Sequence, residues 1–266
     1  MEFNPNELIL EKIRAVEEYN PQTSELTARY TQIEDPSLKT SAEGTDVTDA
    51  MGTPIMTFYK NPQAQLSFTN SLFSLDLAAT QFGSKKILAS DDTKINMPTS
   101  EIIKIEGTAE VPTAELHYTP LAGTIKYVKV VNPNKTFGET YTIDTAASAE
   151  DKKFSLAGKT ITLPKGVTGR VFVSYIRETV NAASVPKYSD GIADIRTIWM
   201  HAIFHDPCNE GVKYAGVIVA ENAQIDPTSV EIGLKSDSKH SATYLIRKNY
   251  CNEEESKLFE ILVSQD

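Results

Sequence analysis

From Glu101 onward, short runs of β-forming residues follow one another at close spacing, with turn residues between them. Residues 125–131 and 170–177 are two of these runs, and residues 132–134 and 164–166 are two of the turns. Many short strands with regular turn signals are typical of an antiparallel sandwich or barrel. The sequence therefore predicts a mainly β fold, an antiparallel β-sandwich or barrel with one packed helix, a helical N-terminal segment and long loops.

The run at residues 170–177 is apolar on both of its faces. Val171, Val173 and Tyr175 point to one side of the predicted strand, while Phe172 and Ile176 point to the other. A strand that is apolar on both faces is normally buried between two layers. We therefore expect this strand to be covered on both sides.

The helical N-terminal segment is predicted over residues 1–36. Asn4 before Pro5 is typical of the start of a helix, and the break at Asn20 separates this helix from a second one over residues 23–33. Residues 37–54 are small and polar and are expected to form a long loop or an arm. Residues 83–100 contain several breakers and are expected to form a second long loop.

One helix is predicted inside the β region. Leu72, Leu75, Ala79 and Phe82 recur at helical spacing, and Gly83 is suited to the residue that follows a helix. Asn70 or Ser71 is the expected N-cap. Before this helix, residues 55–59 and 63–69 are predicted to form a hairpin around Lys60-Asn61-Pro62.

The chain is expected to contain a main β-domain and a smaller one within it. The main β-domain comprises residues 37–106 and 186–266. Residues 107–185 could form a small β-domain inserted between the two halves of the main one.

The net charge argues against binding to nucleic acid. The 26 basic and 36 acidic residues give −10 at pH 7, which repels a polyanion. The sequence has no apolar run long enough to cross a membrane as a helix, and it begins without a signal-peptide pattern, so we expect a protein made in the cytoplasm.

Motifs for catalysis and cofactor binding are missing from the sequence. It contains no GxxxxGK[ST], GxGxxG, GxSxG, HExxH or CxxC pattern. We therefore expect no enzyme, no catalytic residue and no cofactor.

His201, His205 and Cys208 are the one cluster that could hold a metal. On a helix the two histidines would lie about 6 Å apart along the axis, whereas on a strand they lie about 13 Å apart. The alternation of residues 198–205 has a period of two and favours the strand, so no metal site is expected. Cys208 and Cys251 are expected to be free thiols, with a disulfide between them as the alternative.

Three groups of segments carry a resemblance to a known class of proteins. They are residues 47–55 with 58–60, 64–68 and the helix at 70–83; residues 161–166 with 171–175; and residues 205–208 with 214–219, 222–223, 250–251 and 258–259. Together these segments resemble structural proteins of tailed-bacteriophage virions, most closely a tail tube (major tail) protein.

The resemblance implies a non-enzymatic virion protein that assembles into stacked rings, through which DNA passes. Its partners would be other copies of itself and other virion proteins. The chain is longer than a minimal tube subunit, and residues 107–185 would then be an added β-domain. A capsid decoration or head-tail connector protein is the first alternative. A β-sandwich binding module that uses Trp199 is the second, and a metal-dependent enzyme is the last.

Self-assembly would place apolar residues of the two loops and the hairpin at contacts between subunits. The candidate interface residues are Thr45, Val47, Met51, Ile55, Phe58, Leu66, Phe68, Ile87 and Met97. Ordering of the long loops on a neighbouring subunit would explain their length.

Overall fold

The computed structural model describes residues 6–228, 230–233, 239–249 and 257–265, and the chain divides into two compact units. Unit 1 comprises Met1–Lys86 and Val185–Asp266, and unit 2 comprises Ile87–Ser184. The fold is mainly β and contains antiparallel sheets, which confirms the predicted fold class.

The described residues form eighteen strands and one helix. In chain order they are β1 (Ile9–Tyr19), β2 (Leu26–Tyr30), β3 (Ile33–Thr48), β4 (Pro54–Asn70), α1 (Leu75–Phe82), β5 (Ile87–Leu88), β6 (Ile95–Lys104), β7 (Glu106–Gly107), β8 (Pro112–Glu115), β9 (Tyr127–Val131), β10 (Phe137–Ile143), β11 (Lys153–Ala157), β12 (Thr160–Thr162), β13 (Arg170–Thr179), β14 (Ala183–Ser184), β15 (Ile195–Asp206), β16 (Asn209–Ile225), β17 (His240–Ile246) and β18 (Glu260–Ser264).

Unit 1 is one curled antiparallel sheet in the order β2-β1-β15-β16-β17-β4-β3, with β18 also paired to β16. Alternate residues of its strands point inward and form one apolar core. Val16, Phe68, Met200 and Tyr244 are buried there, each from a different strand. The period of two in residues 198–205 is therefore that of the central strand β15.

The predicted N-terminal helices are wrong, because residues 9–19 and 26–30 are the strands β1 and β2. β1 pairs with β15 on one side and with β2 on the other. Asn20 does not end a helix; its side-chain Oδ1 accepts hydrogen bonds from the backbone N–H groups of Gln22 and Thr23 in the turn between the two strands. Hydrogen bonding to strands on both sides outweighs a local capping pattern, which is a weak determinant by itself.

Helix α1 lies where the apolar spacing predicts it, but it begins at a later cap. Ser74 is the N-cap, and its hydroxyl accepts a hydrogen bond from the N–H of Leu77. Gly83 ends the helix in the left-handed conformation with φ +63°. Leu77 is fully buried in the core of unit 1, whereas Leu72 precedes the helix and is exposed.

The inserted unit begins earlier than expected, at Ile87 rather than Gly107, and ends at Ser184. The reason is that β6, predicted to belong to the main domain, pairs along its whole length with β13. The chain enters this unit through β5 and leaves it through β14, and these two strands pair with each other.

Unit 2 is a sheet in the order β6-β13-β9-β10-β11-β12-β8-β7. All its pairs are antiparallel except β10 with β11. Its core includes Val128, Phe154, Ile161, Val171 and Val173, all of which are fully buried. Phe172 lies on the opposite face of β13 and is only half-buried, so the strand is not covered on both sides as its sequence predicts.

Candidate functional site

The most prominent feature of unit 1 is a long hairpin formed by β3 and β4. The two strands pair from Ile33 and Asn70 at the base to Thr48 and Pro54 near the tip. On its other side, β4 pairs with β17 only over Ala64–Asn70. Residues 41–63 therefore continue beyond the pairing with β17, and we call them the arm.

The structure of the arm differs from two predictions made from the sequence. Residues 37–54 are not a loop, because most of them belong to β3 and pair with β4. The two short strands expected around Lys60-Asn61-Pro62 are one strand, interrupted by a bulge in which Asn61 has φ +52°. Proline is tolerated at a bulge because no ladder hydrogen bond is needed there. Eight residues of β3 give the arm a reach of roughly 25 Å.

The tip of the arm is an ordered turn built on Asp49. Its carboxylate accepts hydrogen bonds from the backbone N–H groups of Met51 and Thr53, both at 2.8 Å. Gly52 provides the left-handed conformation that the turn needs, with φ +84°. The apolar side chains near the tip are therefore carried on a defined backbone.

One face of the arm carries a row of exposed apolar side chains. Val47 is directly opposite Met56, and Thr45 is opposite Phe58, so all four point to the same side. Met56 is 55% exposed and Phe58 is 59% exposed. On the other face Asp46 accepts a 2.6 Å hydrogen bond from Thr57.

The structure places five of the nine candidate interface residues together on the arm: Thr45, Val47, Met51, Ile55 and Phe58. All five are exposed, and Met51 is the most exposed of them at 91%. Sequence reasoning missed Met56 and Tyr59. Met56 could have been found, because it lies two positions before Phe58 on the same face of the strand.

The other four candidates are not on the arm. Leu66 and Phe68 are each 1% exposed and belong to the core of unit 1, so choosing them as surface residues was wrong. The strand β17 pairs with this part of β4, and the inward side chains of both strands belong to the same core. Ile87 and Met97 are exposed residues of unit 2, in β5 and β6.

The net negative charge of the chain belongs entirely to unit 1. This unit has 15 basic and 25 acidic residues, whereas unit 2 has 11 of each. The arm contributes Glu43, Asp46 and Asp49 against a single base, Lys60. The arm is therefore both apolar and acidic.

The two histidines considered as metal ligands lie on β15, where each pairs with a glutamate of β1. His201 Nε2 is 2.9 Å from Glu17 Oε2, and His205 Nε2 is 2.5 Å from Glu11 Oε2. The hydrogen bonds from His205 and Lys213 lower the pKa of Glu11 to about 2. These four residues therefore form two separate pairs across neighbouring strands.

Among the residues that the structure describes, no group of three or more His, Cys, Asp or Glu side chains is arranged to hold a metal ion. Cys208 is exposed, in the turn after β15. Cys251 lies outside the described residues, so the predicted state of the two thiols stays a prediction.

A buried carboxyl group joins four elements of unit 1. Glu18 of β1 is fully buried and accepts hydrogen bonds from the hydroxyl groups of Tyr30, Tyr244 and Thr80. Burial raises the pKa of Glu18, and the three hydroxyl donors oppose that shift only in part. No sequence motif marks this group, because its partners come from β2, β17 and α1.

No protein-family model matches the chain, and no curated protein matches it. The described part of the chain contains no helix that is long and apolar enough to span a membrane. The arm is the candidate functional site of unit 1.

Proposed function

We propose that this protein is a non-enzymatic structural subunit that assembles with copies of itself through the arm. The assembly we infer is a stack of rings that forms the tail tube of a bacteriophage, through which DNA passes. Made in the host cytoplasm, the protein would then function in the virion. The exposed apolar row on the arm is the observation that carries the proposal.

A hairpin that carries several exposed apolar side chains leaves apolar surface in contact with water when the protein stays monomeric. Val47, Met56 and Phe58 expose a contiguous apolar surface, and such surfaces usually mark an interaction site. Along the arm, β4 pairs with β3 alone among the described strands, so its other edge offers free backbone groups to a partner strand. Docking on a neighbouring copy would cover both the apolar row and the edge.

A repeated head-to-tail contact suits a ring. Each copy would present its arm to one neighbour and a receiving surface to the other, and a rotation that closes makes the assembly finite. The acidic character of unit 1 supports its placement on the wall of a channel that DNA crosses, because a negative wall does not retain a polyanion.

A binding module is the second candidate, and one observation favours it. The side chain of Trp199 is partly exposed and lies beside Tyr19, with 4.6 Å between ring centroids. Tyr19 is distant from Trp199 in the sequence, and paired rings on a sheet can bind a sugar. A capsid decoration or connector protein would be a monomer, a trimer or a single ring that does not stack.

The test is electron microscopy of the purified protein together with light scattering on a sizing column, over a range of concentrations. We expect stacked rings or hollow tubes from the natural sequence. The variant Met56→Thr/Phe58→Thr should remain monomeric at concentrations where the natural sequence assembles. The control is Ile192→Thr, which removes a side chain that is 67% exposed in unit 1 but outside the arm.

Each outcome selects one of the proposals. A natural sequence that stays monomeric at every concentration contradicts self-assembly and favours a capsid decoration protein or the binding module. Single rings that never stack favour the connector. Assembly that the arm variant leaves unchanged means that copies associate through another surface.

A further inference from the structure

Unit 2 carries an open sheet face that is both aromatic and cationic. Phe172 of β13 is paired in register with Ile102 of β6 on one side and with Lys129 of β9 on the other. Residues paired in this way point to the same face of a sheet. We call the outward surface formed by Ile102, Phe172, Lys129, Tyr127 and Phe137 the aromatic face.

Two rings of the aromatic face contact each other, and Lys129 lies between Phe137 and the third ring. Phe137 packs edge to face on Phe172, with 5.3 Å between ring centroids. The ammonium group of Lys129 lies 5.7 Å from the centre of the Tyr127 ring and 5.8 Å from that of Phe137. Phe137 is 56% exposed, Ile102 53% and Tyr127 41%.

The charged residues next to the pair Phe172 and Ile102 on this face are basic. Arg170 and Lys104 are directly opposite each other, two positions along β13 and β6 from the pair Phe172 and Ile102, and so share their face. Glu101, the acid next to Ile102, points to the other side, where it accepts a 2.5 Å hydrogen bond from Tyr175. A partner for this face must therefore offer apolar groups and negative charge.

The arm has this complementary chemistry. Its row of Val47, Met56 and Phe58 is apolar, and the arm as a whole has three acids against one base. Glu43 lies on the face of the row, opposite Lys60, whereas Asp46 lies on the other face and Asp49 at the tip. Docking the arm on unit 1 of another copy would instead bring it to the unit that carries all of the net negative charge. Like charges brought together at a contact oppose association.

We propose that the arm of one copy docks on the aromatic face of the next copy. The proposal rests on the self-assembly proposed above and names the two surfaces that meet. Residues 171–176 are apolar on both faces of β13, which predicts that both faces are covered. The described part of the same chain does not cover the face that carries Phe172, and a docked arm would cover it. The contact is head-to-tail, so every copy uses one arm and one face.

A mixing experiment with the full chain tests this pairing. The arm variant is Met56→Thr/Phe58→Thr, and the face variant is Lys129→Glu/Phe137→Thr. Each should shift the concentration needed for assembly by about tenfold or more, because aromatic anchors dominate contacts of this kind. The two variants mixed in equal amounts should form a dimer, in which the intact arm of the face variant docks on the intact face of the arm variant.

The control for the face variant is Lys165→Glu, which makes the same charge change in unit 2 at a residue that pairs with Glu110. It should assemble like the natural sequence. Light scattering measures the mass of each species, and added salt should weaken the mixed dimer.

Four results would contradict the docking of the arm on the aromatic face, or the self-assembly on which it rests. A mixture that stays monomeric although each variant alone is defective shows that the arm and the face do not bind each other. A face variant that assembles normally removes the face from the contact while leaving self-assembly intact. A face variant that assembles normally and loses only retention on heparin identifies an anionic polymer as the partner. A natural sequence that never assembles contradicts self-assembly itself.

Discussion

Glu18 and Tyr244 are 226 positions apart in the sequence, yet the Tyr244 hydroxyl donates a hydrogen bond to the Glu18 carboxylate in the core of unit 1. Both residues are fully buried. Tyr30 donates to the same carboxylate oxygen at 2.8 Å, and Thr80 contacts the other oxygen at 2.9 Å. The carboxyl group thus links β1 to β2, β17 and α1 and replaces water with three hydroxyl groups.

Replacing Glu18 with Gln should make unit 1 less sensitive to pH. Because burial raises the pKa of Glu18, the folded chain holds this proton at pH values where the unfolded chain has released it. The contribution of Glu18 to the free energy of unfolding is complete below its unfolded pKa of about 4.3. It is lost as the pH rises through the raised pKa that Glu18 has in the folded chain. Relative to the natural sequence, Glu18→Gln should therefore gain free energy of unfolding as pH rises.

The fluorescence of Trp199 during urea unfolding measures this effect, because it is the only tryptophan of the chain and belongs to unit 1. The difference between Glu18→Gln and the natural sequence should grow between pH 5 and pH 8. Glu25→Gln is the control, since Glu25 is exposed. Parallel stability curves for Glu18→Gln and the natural sequence would show that the carboxyl group is ionised to the same extent in both states.

Replacing Tyr244 with Phe should destabilise unit 1 by about 1 to 3 kcal/mol at pH 7, because it leaves a buried carboxyl group with one donor fewer. At pH values above the raised pKa of Glu18, the same change in a Glu18→Gln background should cost less, since a neutral amide needs that donor less than the ionised carboxylate does. Tyr59→Phe is the matched control, because Tyr59 is 75% exposed on the arm. Equal costs in both backgrounds would mean that the hydroxyl acts by packing alone.

The network around Glu18 explains why the N-terminal prediction failed. The sequence around Val16 has apolar spacing compatible with a helix, and Glu18 looks like a residue of its polar side. In the structure β1 is held by β15, whose residues lie far along the chain, and Glu18 turns inward to partners from three other elements. A local pattern contains no information about such distant partners.

Phe58 and Phe68 show what could and could not be predicted of the arm. Both belong to the same apolar run of β4, but Phe58 is 59% exposed and Phe68 is 1% exposed. The difference arises because Phe68 lies in the half of β4 that pairs with β17, where its ring packs against Tyr30 and Tyr244, whereas Phe58 lies on the arm, which pairs with β3 alone among the described strands. The sequence predicts no strand over residues 41–48, because a strand that is exposed on both faces shows no apolar alternation. Mainly antiparallel β structure and the helix α1 were predictable, since short apolar runs, the helical spacing of α1 and its terminal Gly83 are local features.

Replacing Gly83 with Ala should cost about 2 to 4 kcal/mol in unit 1. Gly83 has φ +63°, and an added Cβ would lie under 3.0 Å from the backbone of Ile192. Gly52→Ala is the control in the same unit, because Gly52 also has a positive φ but has no atom within 4 Å of an added Cβ. It should cost only about 1 kcal/mol, from the backbone conformation. Equal losses in urea unfolding would show that the contact with Ile192 relaxes freely.

Leu66→Ala and Phe58→Ala should separate the stability of unit 1 from its assembly. Leu66 is 1% exposed in the core, so its truncation should lower the free energy of unfolding by about 2 to 5 kcal/mol. Phe58 is exposed on the arm, so Phe58→Ala should change that free energy by no more than about 0.5 kcal/mol. Its effect should appear instead as a higher concentration needed for assembly, measured by light scattering on the same samples. A Phe58→Ala protein that loses stability as Leu66→Ala does would place this part of the arm against the body of its own chain and would remove it from the contact between copies.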